Sequence, residues 1–318
     1  MNGKQMSLVL CAGVLTLLSS GCVFRVPSSP TPVETAPLAT ASRELLPSTL
    51  TSLPTAIPSP TPPSPTLTPT RTPTPSSTPT LTPLPTLTAQ ERETRIRELL
   101  KTNGDCELPC WWGITPGRTN WAATRQFIMQ YDGGFSYGTG DLDIDDIYIR
   151  VVMPEGEGVV ESIKVDVEGH YNQLVFEEDW KYYSLAQILA TYGEPSRVWI
   201  QLAAGPVMPG STMGYGVWLF YDHLGFLVCY GGSGVVVQPI YHVCPTLRGP
   251  GGIVSIRLWL QSPDSKTLLE ELAGVTQEQL PYLRPVEEAT GLSVEEFYTL
   301  FTQSDGPACF ESPRDMWP

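Results

Sequence analysis

The stretch Ile144–Gly169, IDDIYIRVVMPEGEGVVESIKVDVEG, decides the fold class of this chain. Its two halves, IDDIYIRVVMP and VVESIKVDVEG, each alternate apolar and polar residues, with EGEG between them. A period of two places successive side chains on opposite faces, so the pattern predicts two antiparallel strands whose sheet has one wet face. Further apolar runs follow in SRVWIQLA, YGVWLFYD, GFLVCYG, VVVQPIYHV and IVSIRLWLQ, with Asp222–Gly225 reading as a hairpin turn.

Around these strands lie short helical patterns. Thr88 or a neighbour is placed to cap a helix through AQERETRIRELLKTNG, with Asn103-Gly104 as its stop. Its few apolar residues, Ile96, Leu99 and Leu100, suggest a surface helix. Thr119 is the expected cap of TNWAATRQFIMQY, whose Trp121, Phe127, Ile128 and Tyr131 form an apolar face. Ser184 opens SLAQILATYG, and Ser293 caps SVEEFYTLFTQ after a helical KTLLEELAG. The fold class is therefore α+β: a largely antiparallel sheet with short helices. The openings GITPGRTNWAATRQFI and YYSLAQILATYGEPSRVWI suggest one helix-plus-meander plan used twice, over about residues 104–180 and 181–318.

The N-terminal third has another character. Met1–Cys22, MNGKQMSLVLCAGVLTLLSSGC, carries one cation, Lys4, then an apolar run to Leu18 and the small residues Ser19, Ser20 and Gly21. This is the layout of a secretory signal. It is too short to span a bilayer, which needs about 20 apolar residues. Small residues directly before Cys22 resemble the lipobox of bacterial lipoproteins, although Ser19 stands where that motif usually has Leu. The resemblance implies cleavage after residue 21 and palmitate-type acylation of Cys22. Plain secretion, with Cys22 incidental, is the simpler alternative. From Pro27 to Thr88 the chain repeats Pro-Thr and Pro-Ser, as in PSPTPPSPTLTPTRTPTPSSTPTLTPLPTLT. Such a segment cannot bury enough apolar surface to offset chain entropy. A disordered, semi-rigid polyproline-II stalk is expected, with O-glycosylation an open alternative to a bare spacer. Roughly 65 residues at ~3.1 Å each reach about 200 Å. The expected organisation is a signal peptide at 1–21, a lipidated stalk at 22–88 and a globular domain at 89–318.

The net charge is −14, and residues 22–88 hold only Arg25, Arg43, Arg71, Glu34 and Glu44, so the acidic excess belongs to the domain. Acidic surface repels phosphate backbones, which argues against nucleic acid.

Two further resemblances bear on the domain. CELPCWWGITPG (Cys106–Gly117), with YGEPSRVWI and the Pro/Thr stalk, resembles uncharacterised secreted lipoproteins of Chloroflexus-type filamentous bacteria; this implies a stalked envelope protein and no activity. Tyr192-Gly193-Glu194-Pro195 and the strands after it are more loosely similar to small outer-membrane assembly lipoproteins and β-lactamase-inhibitor-like modules. Those are binding scaffolds without a common ligand.

Five cysteines remain beyond Cys22 (Cys11 lacks a small-residue cleavage site): Cys106, Cys110, Cys229, Cys244 and Cys309. Outside the cell disulfides are the default. Cys229 and Cys244 each end a predicted strand, so a bridge between them is the first expectation. Cys106 and Cys110 flank a Glu-Leu-Pro turn that can join them, or one of them can reach Cys309. The C-x-x-x-C spacing fits a redox pair poorly, and a zinc site wants more cysteine or histidine nearby.

Other motifs carry little chemistry. Asp141, Asp143, Asp145 and Asp146 invite calcium, but an EF-hand loop wants Gly and Glu where Asp146 and Val152 stand. Alternate aspartates on the wet face of a strand explain the spacing. Gly231-Gly232-Ser233-Gly234 lacks the Lys and helix of a phosphate cradle and reads as a turn. His170, His223 and His242 are scattered, with no G-x-S-x-G or HExxH. Of the tryptophans, Trp111, Trp112, Trp199, Trp218 and Trp259 fall in core-like contexts, whereas Trp121, Trp180 and Trp317 are expected to be partly exposed.

The expectation is a lipid-anchored surface protein displaying a non-enzymatic binding or scaffold domain, with no catalytic residues, metal or cofactor. Its partners would be the membrane, through Cys22, and an envelope protein or extracellular polymer. The alternative is a carbohydrate-binding or carbohydrate-cleaving envelope protein.

Overall fold

The structure is a computed structural model that describes residues 87–132, 135–136, 138–144, 147–169, 177–202, 208–237, 239–247, 252–304 and 306–317. The signal peptide, Cys22, the stalk up to residue 86, Asp145, Asp146 and His170 lie outside the described residues.

Local capping chemistry starts the helices. Thr88 and Glu91 form a capping box, and α1 runs Ala89–Thr102. Its Ile96, Leu99 and Leu100 are all buried, so the helix packs on the core through one narrow stripe. Helix α2 (Trp121–Ile128) is capped by Asn120, whose Oδ1 accepts from the amides of Ala122 and Ala123. Thr119, the expected cap, instead accepts from the Thr115 amide at 2.8 Å and closes the preceding turn. A one-turn α3 (Glu177–Trp180) precedes α4 (Leu185–Tyr192), which Ser184 caps. The KTLLEELAG segment yields only one turn, α5 (Leu269–Leu272). After α6 (Val286–Thr290), α7 (Val294–Gln303) opens on a second capping box, Ser293 with Glu296. No helix among the described residues is long and apolar enough to cross a membrane.

The strands are β1 (Thr139–Ile144), β2 (Ile147–Val152), β3 (Ser162–Gly169), β4 (Arg197–Leu202), β5 (Thr212–Tyr221), β6 (Phe226–Val237), β7 (Ile240–Val243), β8 (Ile253–Gln261), β9 (Leu283–Pro285) and β10 (Phe310–Pro313). Their order is β1-β2-β3-β8-β6-β5-β4-β9, every pairing is antiparallel, and β7 pairs with both β6 and β10. The fold is thus α+β with a dominant antiparallel sheet. The α2-β1-β2-β3 and α4-β4-β5-β6 meanders both occur, and β8, paired with β3 on one side and β6 on the other, joins them into one sheet.

Two segments differ from the sequence reading. IDDIYIRVVMP is divided between two strands, with β1 ending at Ile144 and β2 starting at Ile147. Gly231–Gly234 is not a turn but the middle of β6, which continues with a register shift at Gly231/Gly232. Those glycines lie against β5, where the Tyr215 ring occupies the space that a Cβ at Gly232 would fill. The expected hairpin does form at Asp222–Gly225, where Gly225 has φ of +78° and its missing Cβ admits the Gln261 carbonyl.

One sheet face is apolar throughout. Ile149, Val165, Leu258, Val228, Val217 and Ile200 point to the helices, where Ile96, Ile128, Trp180, Tyr183, Ile188 and Phe297 complete the main core. The other face changes along the sheet. Across β4, β5, β6 and β8 it holds a second core of Trp218, Phe220, Leu227, Cys229 and Trp259, closed by Leu269 of α5 and Leu283 of β9. Across β1–β3 it is polar.

Candidate functional site

That polar surface follows from register. Asp141 lies opposite Arg150, Arg150 opposite Asp166, and Asp166 opposite Arg257, so carboxylates and guanidinium groups alternate across four strands. Opposite charges directly across a pair of strands stabilise it. Arg150 Nε meets Asp141 Oδ1 at 2.9 Å, and Tyr148 Oη donates to the same oxygen at 2.6 Å. Lys164 Nζ reaches Asp166 at 3.2 Å, and Arg257 bridges Asp166 and Glu168 at 3.4 and 3.6 Å. The Arg150 guanidinium holds the Asp141 carboxyl below its usual range. Burial, then the bond to Asp141, pushes the Tyr148 hydroxyl up to about 12. Asp141 and Asp143 lie on the exposed face of β1, as their spacing predicts. Since Asp141 is already held by Tyr148 and Arg150, its environment is that of a salt-bridge partner.

A shallow open cleft lies where α2 meets the β2–β3 connection. Asn120 pairs with Val159 and the Trp121 amide donates to the Gly158 carbonyl at 2.8 Å, fixing the start of α2 against the EGEG segment. Trp121, Arg125, Ser136, Glu155, Gly156 and Glu157 line the cleft. It brings one half-buried indole beside two carboxylates and a guanidinium.

The remaining tryptophans are core groups or nearly so. Trp111 stacks on Trp112 at 4.1 Å between centroids, and Trp218 on Trp259 at 5.5 Å, and all four are buried. Trp180 and Trp317, expected at the surface, are also buried: Trp180 packs between the helices and the sheet, and Trp317 donates to Ser312 Oγ at 2.9 Å. Trp199, expected in the core, is half-buried beside Phe220.

The cysteines pair as Cys106–Cys110 and Cys244–Cys309. The expected Cys229–Cys244 bridge does not form. Cys229 lies within β6 opposite Trp218 and Arg257, buried in the second core, whereas Cys244 follows β7 beside β10. Around Cys106–Cys110, the buried Asn103 donates from Nδ2 to the Cys106 and Cys110 carbonyls, both at 2.8 Å. Its Oδ1 accepts from Tyr183 Oη at 2.7 Å.

The second bridge gathers more chemistry. His242 and Glu311 are directly opposite in the β7–β10 ladder, with Nδ1 to Oε1 at 3.6 Å. His242 Nε2 is 3.3 Å from Cys244 Sγ, and single ligand atoms of His242, Cys244 and Cys309 all lie within 4.8 Å of one another. In the sequence the histidines are scattered, and β10, FESP, is too short and too polar to announce the strand that completes this group. The only local signal was a pair of two-residue spacings, His242-x-Cys244 and Cys309-x-Glu311. His223 lies in the β5–β6 turn, away from this group.

No protein-family model matches the chain, and no curated protein or solved structure is significantly similar to it.

Proposed function

We propose that the chain is a membrane-anchored surface lipoprotein, held by acyl chains on Cys22 and displaying its domain on the Pro/Thr stalk as a binding or scaffold module. The observation that carries this reading is the pairing of four domain cysteines in two disulfides, the state expected where thiols meet an oxidising exterior. The Thr88 capping box supports the same organisation, because α1 begins where the Pro/Thr composition ends. Two or more acyl chains make such attachment durable, while one binds only marginally.

Intact mass of the native, membrane-extracted protein tests the anchor. A chain starting at Cys22, carrying acyl mass and gaining four hydrogens on reduction, is expected; Cys22→Ala should abolish the acyl mass. An unacylated native chain overturns the anchor.

A second reading, a carbohydrate-binding domain, is favoured by the cleft that sets Trp121 beside Glu155 and Glu157. An indole face packs against a sugar ring while carboxylates accept its hydroxyls. Retention on a polysaccharide panel that Trp121→Ala abolishes would support it. Equal retention by that variant would rule this cleft out as the sugar site.

A further inference from the structure

We infer that the end of the molecule formed by β7 and β10 is a zinc site in its reduced form, with His242, Cys244 and Cys309 as ligands and Glu311 orienting the histidine. The argument begins with strand geometry. Residues two apart share a face of a strand, and antiparallel neighbours bring opposite residues together. His242 faces Glu311, Val243 faces Phe310, and the next step brings Cys244 to Cys309. Two short sequence pairs 65 residues apart therefore make a square of four donor groups on one side of one ladder. The opposite side is fixed in the core, since Tyr241, Val243, Phe310 and Ser312 are all buried. The square is thus built on a rigid support, while His242, Cys244 and Cys309 are themselves only half-buried.

The donor set suits zinc. Thiolate and imidazole are its usual protein ligands, and bond lengths of about 2.3 and 2.0 Å place tetrahedral ligand atoms roughly 3.5–3.8 Å apart. The 3.3 Å between His242 Nε2 and Cys244 Sγ is already near that value. The two sulfurs need only separate from bonding distance. With Nε2 on the metal, Nδ1–H points toward Glu311, the carboxylate–histidine arrangement that fixes tautomer and ring orientation at metal sites. Three protein ligands leave a fourth position to solvent. Hard cations are disfavoured, because they take oxygen ligands.

Disulfide and metal are alternative states of the same sulfur atoms. A dithiol reductant cleaves the Cys244–Cys309 S–S bond, supplying two electrons and two protons and becoming a cyclic disulfide itself. Zinc then displaces both thiol protons to solvent and forms two Zn–S bonds and one Zn–N bond. Metal affinity is thereby coupled to the redox state of this bridge.

Cobalt titration of the full chain in detergent, reduced anaerobically and freed of reductant, tests the proposal. One equivalent should bind with tetrahedral ligand-field bands and thiolate-to-cobalt charge transfer, and zinc should displace it. The spectrum should be unchanged in Cys106→Ser/Cys110→Ser, lost in Cys309→Ser and His242→Ala, and retained with about 10- to 100-fold weaker affinity in Glu311→Gln. Absence of these bands in a reduced chain that keeps its circular dichroism overturns the proposal, as does binding that survives His242→Ala. Because variants in a strand pair can misfold, the reduced wild-type chain gives a second reading by peptide mass. Zinc should slow iodoacetamide labelling of Cys244 and Cys309, and equal labelling with and without zinc overturns the site.

Discussion

Arg197 shows how much one side chain joins. From β4 its guanidinium bonds Glu270 of α5 at 2.6 Å and grips both oxygens of Asp222 at 3.1 and 2.8 Å. It also lies 4.3 Å over the Phe220 ring. The Arg197 hydrogen bond holds the Glu270 carboxyl below its usual range. These groups are partly exposed, so solvent screens the pairs, and Arg197→Ala is expected to cost about 1–2 kcal/mol at neutral pH. Arg197→Lys should recover only part of this, since a point charge cannot form the fork or the stack. A carboxyl depressed by folding stabilises the protein above its unfolded value, roughly 4.3, and loses that contribution as pH falls through the lower folded value. Urea unfolding should therefore show the wild-type–Arg197→Ala gap shrinking between pH 6 and pH 3. A gap that stays constant would mean that stacking, not charge, holds the side chain. None of this was legible in sequence, where Arg197 opens a strand and nothing marks Glu270 as its partner.

Helix ends were the most legible elements, because a cap is chemistry among near neighbours. Thr88, Ser184 and Ser293 start α1, α4 and α7, and the structure adds Glu91 and Glu296 as the reciprocal halves of two capping boxes. The end of α1 shows where local reading stops. Asn103 adopts the left-handed conformation expected of a helix stop, with φ of 54°. Its side chain is also buried and holds the Cys106–Cys110 loop and Tyr183 together. Asn103→Gly keeps the backbone conformation but removes the donor to the Cys110 carbonyl and the acceptor of the buried Tyr183 hydroxyl, while the Cys106 carbonyl keeps only Tyr182 Oη at 3.2 Å, a loss of about 2–4 kcal/mol. Asn103→Ala adds roughly 1 kcal/mol for a Cβ in the left-handed region. Melting temperatures should fall in the order wild type, Gly, Ala; an alanine variant at least as stable as the glycine one would contradict this account. The long β6 shows the converse. Four small residues resemble a turn until β5 lies alongside all four in register and Tyr215 fills the missing volume.

For the whole molecule, the two disulfides have unequal weight. Cys106–Cys110 closes a loop of sequence separation 4 and Cys244–Cys309 one of 65. Chain entropy alone gives them roughly 2 and 4 kcal/mol. In metal-free buffer Cys244→Ser/Cys309→Ser should lower the melting temperature more than Cys106→Ser/Cys110→Ser. The reverse order would locate the main constraint at the α1 end.

The sequence by itself determined the α+β class, most of the antiparallel strands, the starts of α1, α4 and α7 and the wet face of β1–β3, because each depends on periodicity or on capping between residues at most four apart. It also set the expectation of a lipidated leader and stalk, from composition and the position of Cys22. Only the tertiary structure decided which cysteines pair, that Trp180 and Trp317 are buried, that β6 runs through its glycines, and that His242 meets Cys244, Cys309 and Glu311. Those outcomes depend on which distant strand lies alongside, and pairing energy is spread over a ladder of weak contacts that no single residue in the chain announces.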